Sequence, residues 1–217
     1  MSDREKILAA VREALGTKEG APVPQPPPPV TISLPLQSTE LVAHFAQRVV
    51  AVGGRVQRLA AITDLLGAVL ATLHAANAHS VVLSDAPIVQ AMRQPLTENG
   101  ITCLRSDAEL NHLLAADAGI TTAQYGIAET GTLLLDAGRE RSRLASLLPP
   151  LHLCLLPESQ LLSTLGEALR ALPHPLPYAI TFVSGPSRTA DIELQLVVGV
   201  HGPKDLCVLL IESQKQH

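Results

Sequence analysis

The sequence contains very few aromatic residues. Phenylalanine, tyrosine and tryptophan make up 2% of its 217 residues, and tryptophan is absent. Because 47% of the residues are hydrophobic, the core must be built from leucine, valine, isoleucine and alanine. The net charge is −4, from 16 basic and 20 acidic residues, without a long basic run. With neither a basic surface nor aromatic rings for base stacking, the composition argues against nucleic-acid binding.

Long hydrophobic runs and paired cysteines are also missing. No apolar run reaches the ~18 residues that a membrane-spanning helix needs, and the charged N-terminus does not resemble a signal peptide. We therefore expect a cytoplasmic protein without a membrane span. Cys103, Cys154 and Cys207 each lie in an apolar, strand-like segment and form no C-x-x-C pair. We expect them to be core residues, with no metal site, iron–sulfur cluster or other cofactor on this chain.

Proline, in contrast, is abundant and divides the chain. Ser2 and Glu5 form a capping-box pattern that predicts an N-terminal helix over residues 1–16. Residues 17–37 include the run Pro26–Pro29, which predicts an extended linker because proline fixes φ and lacks a donor. The main domain is predicted over residues 38–217.

In the first half of this domain, strand-like segments alternate with helical patterns. Ser80–Leu83 is apolar without alternation, as in a strand buried on both faces, and Ile101–Leu104 is the next strand. This alternation predicts an α/β fold whose mixed, mostly parallel sheet carries helices on both faces in three layers. In the second half, strands are predicted over Gly119–Ala128, Thr132–Leu135, Leu151–Leu156, Tyr178–Val183, Val197–Val200 and Leu206–Ile211, and a helix over Glu158–Leu172.

A polar stretch separates the last strands. Ser187 and Thr189 are good N-cap residues for a short helix through Asp191–Leu196. The N-terminus of such a helix, with Arg188 beside it, would be an anion site. The alternative is a capped turn in which Arg188 pairs with Asp191 or Glu193.

Three further features allow two interpretations each. Glu129, the lone acid of Tyr125–Thr132, suits a general base, or it accepts backbone or threonine hydrogen bonds in a tight turn. His201 lies beside Gly-Pro at a strand end, where the ring either faces a cleft or is structural. The basic segment 138–143 either binds an anion or partner, or forms a solvated loop with internal ion pairs.

The segments around Glu129 and Arg188 both interrupt apolar strands with polar groups. In an open α/β sheet, such interruptions gather at strand ends, where ligand crevices form. We therefore predict that Glu129 and Arg188 line one shared cleft, with His201 at its edge.

Two motifs together resemble the signature of the lactate-utilisation (LUD) domain family. They are Gly-Ile-Ala-Glu-Thr-Gly-Thr at 126–132 and Ser-Gly-Pro-Ser-Arg-Thr-Ala-Asp-Ile-Glu at 184–193, followed by Gly-Val-His-Gly-Pro at 199–203. The resemblance covers roughly residues 38–211. It implies a fold similar to the sugar-phosphate isomerase, deaminase and CoA-transferase superfamily. It also implies a role in oxidising L-lactate to pyruvate beside partner subunits that carry iron–sulfur centres.

Three hypotheses follow, and the sequence does not decide whether the chain is an enzyme. The first is a subunit of a cytoplasmic lactate-oxidising system with a pocket for a small carboxylate or phosphate. Its candidate catalytic residues are Glu129, as base, and His201; its candidate binding residues are Thr130, Gly131, Ser187, Arg188, Thr189 and Asp191. Arg188 would hold the anion in a bidentate manner. The second is a non-catalytic assembly or regulatory subunit, and the third is a free-standing enzyme acting on a phosphorylated or CoA-linked molecule.

Overall fold

The structure is a computed structural model that describes residues 2–15, 38–190, 196–198 and 202–212. Contacts divide the chain into two units, residues 1–30 and residues 31–217. The predicted linker at 17–37 lies outside the described residues, so the domain boundaries stay a prediction.

The first unit contains helix α1, Asp3–Leu15. The backbone N–H of Ser2 donates to Glu5 Oε2 at 2.6 Å, and the N–H of Glu5 donates to Ser2 Oγ at 3.3 Å. This reciprocal pair is the capping box expected from the sequence, and it satisfies two of the free N–H groups at the helix start.

The second unit combines helices with three groups of strands. Its helices are α2 (Ser38–Ala51), α3 (Leu65–Ala75), α4 (Pro87–Ala91), α5 (Arg93–Glu98), α6 (Leu110–Leu114), α7 (Ala137–Glu140), α8 (Leu144–Leu147) and α9 (Leu165–Arg170). Its strands are β1 (Arg55–Leu59), β2 (Ser80–Leu83), β3 (Thr102–Arg105), β4 (Ala118–Thr122), β5 (Tyr125–Ile127), β6 (Thr132–Asp136), β7 (Leu151–Pro157), β8 (Leu161–Leu162), β9 (Ile180–Val183), β10 (Arg188–Ala190), β11 (Leu196–Val198) and β12 (Asp205–Ile211). Short 3-10 helices span Ile62–Asp64 and Glu158–Gln160.

The main sheet has six strands in the order β1-β12-β7-β4-β2-β3, and every neighbouring pair is parallel. Successive residues of β12 enter core clusters on opposite faces of the sheet: Leu206, Val208 and Leu210 on one face, Cys207, Leu209 and Ile211 on the other. A strand buried on both faces needs apolar side chains at every position, which explains the unbroken apolar runs.

Helices cover both faces, as predicted. On one face, Leu73 of α3 and Leu96 of α5 are fully buried in the first core cluster. On the other, Phe45 and Val49 of α2 pack with residues of a second sheet, such as Leu133. Each such side chain contributes about 1.5–3 kcal/mol through burial, so the three layers rest on aliphatic packing.

The second sheet has four strands in the order β8-β5-β6-β9, with both parallel and antiparallel pairs. Its presence corrects the single strand predicted over Gly119–Ala128. The N–H of Ala123 still donates to Leu155 O of β7, whereas the N–H of Gln124 donates to Leu134 O of β6. The chain therefore passes from one sheet to the other within two residues, which no local sequence signal revealed.

The single helix predicted over Glu158–Leu172 is wrong. A 3-10 turn and strand β8 come first, because Leu161 and Leu162 pair with Gly126 and Ile127 of β5. Helix α9 begins only at Leu165, after its N-cap Thr164. Strand pairing thus replaces the first half of the predicted helix.

The short helix predicted through Asp191–Leu196 falls mostly on residues 191–195, which lie outside the described ranges. Strands β10 and β11 form an antiparallel pair in which Arg188 lies opposite Val198 and Ala190 opposite Leu196. Leu196 is therefore a strand residue and not the end of a helix, and Thr189, predicted as an N-cap, lies in strand β10.

Two of the three cysteines are core residues, as expected. Cys154 and Cys207 are buried in clusters on opposite faces of the main sheet, and Cys103 is half-buried. Burial raises the pKa of all three thiols, which suppresses the reactive thiolate.

We expect a native thiol titration with an aromatic disulfide reagent to modify Cys103 first, at about one thiol per chain. Cys154 and Cys207 should react only on unfolding. Cys103→Ser should abolish the early reaction. An early reaction that persists in this variant would show that a buried cysteine opens to solvent in the folded state.

Candidate functional site

The two family-like motifs meet through a chain of hydroxyl groups. Thr130 Oγ1 lies 2.7 Å from Thr132 Oγ1, which lies 2.7 Å from Ser184 Oγ. Strand β6 begins at Thr132 and pairs antiparallel with β9, which ends just before Ser184. The pairing of β6 with β9 therefore brings together two segments that are about fifty residues apart in the chain.

Glycines in both motifs pack against the end of α2. Gly131 has φ of +69°, and a Cβ there would lie 2.5 Å from Val49 N and 2.6 Å from Arg48 C. Gly185 has φ of +83°, and its Cβ would lie 2.5 Å from Val52 O. Both positions therefore require glycine, because backbone atoms occupy the space of a side chain. For Gly131, predicted as a binding residue, the structure shows a packing role.

Arg188 lies over the end of the same helix. Its Nη2 donates to Val52 O at 2.7 Å, and it would lie 2.7 Å from a Cβ on Gly53. A cation is favourable at a helix C-terminus, where carbonyl groups lack partners. Nε and Nη1 of Arg188 have no hydrogen-bond partner within the described part of the chain. The exposed guanidinium thus caps α2 and keeps donors for an anion.

Glu129 hydrogen-bonds to a different helix. Its Oε2 accepts from the N–H of Leu165, the first residue of α9, at 3.3 Å, and its own N–H donates to Ser163 O at 3.0 Å. This is the backbone-accepting role that was one of the two interpretations of Glu129. No hydrogen bond or ion pair among the described residues joins Glu129 to Arg188, so their shared cleft stays a prediction.

The remaining predicted residues are spread around the same loop. The N–H of Ser187 donates to Pro203 O at 2.8 Å, and Thr189 lies opposite Val197 in the β10–β11 pair. Asp191 and His201 lie outside the described residues, so their proposed roles stay predictions.

A small pocket beside this loop contains a histidine that the sequence analysis did not single out. The pocket has a volume of about 190 Å³, and its lining includes Ser184, Ser187, Phe182 and His152. His152 is fully buried, with Nε2 at 2.8 Å from Thr121 Oγ1 and Nδ1 without a partner in the described residues. Burial lowers the pKa of His152 to about 4, so the ring is neutral near pH 7. The signal in the sequence was an imidazole inside the apolar strand Leu151–Leu156, where a polar group needs a partner.

A second polar cluster lies at the carboxyl end of β4. Glu140 is 2% exposed, and its carboxylate accepts hydrogen bonds from the Thr122 N–H at 3.0 Å, from Thr122 Oγ1 and from Gln124 Nε2 at 3.1 Å. Gln124 Oε1 in turn accepts from the N–H of Asp136. Glu140 lies in the basic segment 138–143, and the sequence analysis did not include it among the site residues.

Two arginines of that segment pair with carboxylates outside it. Arg141 Nη1 lies 3.2 Å from Asp85 Oδ2, and Arg139 Nε lies 4.0 Å from Asp136 Oδ2. These pairs are not internal to the segment, so both interpretations of it stay predictions. Because the Arg141 pair links residues far apart in sequence, it also places the segment next to the end of β2.

Residues 42–211 match the family model described as the LUD domain. The chain belongs to the LUD domain family. Both motifs that carried the resemblance fall within the matched range, and so does the antiparallel β6–β9 pair that joins them.

Similar proteins extend over nearly the whole chain. Lactate utilization protein C of Deinococcus radiodurans is 33% identical over 193 residues, covering 87% of each chain. Lactate utilization protein C 1 of Bacillus mycoides is 28% identical over 234 aligned positions, covering 99% of each chain. A crystal structure at 1.70 Å of a DUF162 family protein from Deinococcus radiodurans matches with a TM-score of 0.63 and 26% identity, over 82% of this chain and 99% of that one.

The LUD domain assignment confirms the family expected from the two motifs, and the matched crystal structure confirms the α/β fold. The wider likeness to the sugar-phosphate isomerase and CoA-transferase superfamily stays a prediction. Among the described residues, none of the helices has the length and apolar character to cross a membrane. The same residues contain no cluster of three or more His, Cys, Asp or Glu that could hold a metal ion.

Proposed function

We propose that this LUD domain chain is a subunit of a cytoplasmic system that oxidises L-lactate to pyruvate. The observation that carries the proposal is its similarity, over 99% of both chains, to a protein named lactate utilization protein C 1. Oxidation of lactate releases two electrons and two protons. The proposal assigns the electrons to iron–sulfur clusters on partner subunits.

The geometry supports a place for the lactate carboxylate near the end of α2. Arg188 has two nitrogens free among the described residues, and a guanidinium binds a carboxylate through two parallel hydrogen bonds. In this proposal Thr130, Ser187, Thr189 and Asp191 surround the substrate, and Glu129 or His201 accepts the proton of its hydroxyl group. Gly131, predicted as a binding residue, instead holds Thr130 in place through its packing on α2. Glu129 would need to exchange its hydrogen bond with Leu165 N for one with the substrate.

Deletion of the gene in the native cell is expected to abolish growth on L-lactate as sole carbon source, with growth on pyruvate unchanged. The wild-type chain should restore growth, whereas Arg188→Gln should not, because glutamine cannot hold the carboxylate by charge. Arg170→Gln, at the exposed end of α9, is the matched control and should restore growth fully. A deletion strain that grows normally on L-lactate would contradict the proposal.

A non-catalytic assembly role is the second candidate. It is favoured by the hydrogen bonds that Arg188 and Glu129 make to the backbone of α2 and α9. Under this role, Arg188→Gln would lower the free energy of unfolding by about 0.5–1 kcal/mol, the usual value of a charge at a helix end. Growth on L-lactate would then fall only in proportion to the folded protein. Measuring the amount of chain that copurifies with its partners separates the two candidates.

A further inference from the structure

The order in which the chain adds strands to the main sheet reverses between β2 and β4. From β2 the chain continues to β3 on one side, and from β3 it returns to β4 on the other side of β2. At such a point the two connections diverge and open a crevice at the carboxyl ends of the strands, where α/β proteins bind ligands. In this chain, residues 84–86 and residues 122–124 border that crevice.

A charged recess lies beside the end of β2. It has a volume of about 450 Å³ and is lined by Asp85, Gln90, Arg93, Arg105 and Arg141. Three of these five residues are arginines and one is an acid, so the recess favours a negatively charged ligand. The planar guanidinium groups offer many donors in fixed directions, which suits an anion with several oxygens.

Carboxylates in the chain neutralise only part of this charge. Arg105 donates to Asp107 at 2.8 and 2.9 Å, and these hydrogen bonds lower the pKa of that carboxyl to about 2. Arg141 is shared between Asp85 at 3.2 Å and Asp107 at 3.5 Å. Two carboxylates therefore serve three guanidinium groups, which leaves a positive charge in excess.

The excess charge is on Arg93. Its Nε and Nη2 donate to Gln90 Oε1, both at 3.3 Å, and its Nη1 donates to Cys103 O at 3.0 Å. Both acceptors are neutral, and no carboxylate in the described residues forms an ion pair with Arg93. The half-buried guanidinium is thus held in place and remains available to an anion.

The backbone at Arg141 is strained. Its φ is +61°, a conformation that costs free energy in any residue with a side chain. Tyr178 Oη lies 2.8 Å from the carbonyl oxygen of Arg141 and 3.0 Å from that of Ala137, so its single hydroxyl proton is shared between them and holds the turn. Strain of this kind is concentrated at binding sites, and Arg141 Nη1 lies 3.2 Å from Asp85 Oδ2 at the recess.

A second, mostly apolar pocket is lined by the residues that directly follow Asp85 in the sequence. Asp85 lines the recess, and Ala86, the next residue, lines a pocket of about 440 Å³ together with Ile88, Leu155 and Ile211. Gln160 also lines this pocket, and its Oε1 is buried without a hydrogen-bond donor among the described residues. The volume suits a ligand of drug or cofactor size; lactate would leave most of it empty.

We propose that this edge of the sheet binds a phosphorylated small molecule of about mononucleotide size. The phosphate lies in the recess formed by Arg93, Arg105 and Arg141, and the body lies in the apolar pocket and donates a hydrogen bond to Gln160 Oε1. A phosphate fits better than a carboxylate, because its additional oxygen lets it accept hydrogen bonds from all three guanidinium groups at once. The proposal is independent of the lactate role.

Titration calorimetry on the purified full chain tests this proposal with matched probes. Adenosine 5′-monophosphate and ribose 5-phosphate are compared with adenosine and ribose, and with L-lactate. At least one phosphorylated probe should bind about 10-fold or more tightly than its unphosphorylated counterpart. Arg93→Gln should weaken that binding by about 10- to 100-fold. Arg55→Gln is the control, since Arg55 is exposed at the start of β1, at the opposite edge of the sheet, and pairs with Asp205 at the amino ends of the strands.

Arg141→Gln serves as a second variant in case Arg93→Gln folds poorly, and it should weaken binding in the same way. The proposal is overturned if no phosphorylated probe binds at millimolar concentration, or if L-lactate binds as tightly as the phosphorylated probes. It is also overturned if folded Arg93→Gln and Arg141→Gln bind like Arg55→Gln. The titration does not measure growth on L-lactate, so a negative result would not contradict the proposed role in lactate oxidation.

Discussion

Gly131→Ala is expected to lower the free energy of unfolding by about 2–5 kcal/mol. Alanine at φ of +69° costs about 1–2 kcal/mol, and its methyl group would lie 2.5 Å from Val49 N. Such an overlap with helix backbone adds about 1–3 kcal/mol, because α2 cannot withdraw without losing the packing of Phe45 and Val49. Chemical denaturation of the purified chain measures the loss.

Substitutions at two other glycines measure the backbone contribution without the steric overlap. Gly100 has φ of +81° with open space around it, so Gly100→Ala should cost only the backbone term, about 1–2 kcal/mol. Gly67 lies in α3 with no neighbour where a Cβ would be, so Gly67→Ala should stabilise the chain by about 0.5–1 kcal/mol. If Gly131 serves a ligand instead, Gly131→Ala would match Gly100→Ala in stability and lose growth on L-lactate.

The second large effect is a loss of stability at acid pH through His152. Its pKa is about 4 in the folded chain, below the value of about 6.5 for an exposed histidine. The unfolded chain therefore binds a proton at this residue before the folded chain does. Stability is complete above pH 6.5 and falls as the pH drops toward 4. The loss between about pH 7.5 and about pH 4.5 amounts to about 2.5 kcal/mol.

Comparison of the wild-type chain with His152→Asn isolates this effect from other titrating groups. As the pH falls from about 7.5 to about 4.5, the unfolding free energy of the wild-type chain should fall by about 2.5 kcal/mol more than that of His152→Asn. His112→Asn, at an exposed position in α6, is the matched control and should show no such shift. A constant difference between wild type and His152→Asn would mean that the folded chain can accommodate the charged ring.

Much of the fold was predictable because its determinants are local. The apolar run Leu206–Ile211 predicted a strand, and the structure has β12 there, with side chains in both core clusters. The capping box of Ser2 and Glu5 predicted the start of α1 correctly. The predictions were wrong where a distant strand competes with a local preference. Leu161 and Leu162 lie in a helical pattern but pair with Gly126 and Ile127 of β5.

For the candidate site too, the sequence determined some features and the tertiary structure decided the others. The sequence alone determined the family, since its two motifs carry a recognisable order of glycines, hydroxyl groups and charges. Only the tertiary structure showed that Thr132 and Ser184 are hydrogen-bonded and that Gly131 packs on α2. These facts depend on the pairing of β6 with β9 and on the docking of a helix.

The recess at the end of β2 is the clearest example of a site that only the tertiary structure reveals. Arg93, Arg105 and Arg141 are scattered over about fifty residues and each has an ordinary local context. Arg93 follows β2 and Arg105 ends β3, and these two strands are parallel neighbours, so both residues lie at the same edge of the main sheet. Arg141 comes to the same recess from the second sheet, after β6 and α7. Local preferences in the sequence determine which segments form strands. The order of those strands in the sheet depends on which arrangement buries the whole core. Sites built at strand ends therefore become visible only in the folded chain.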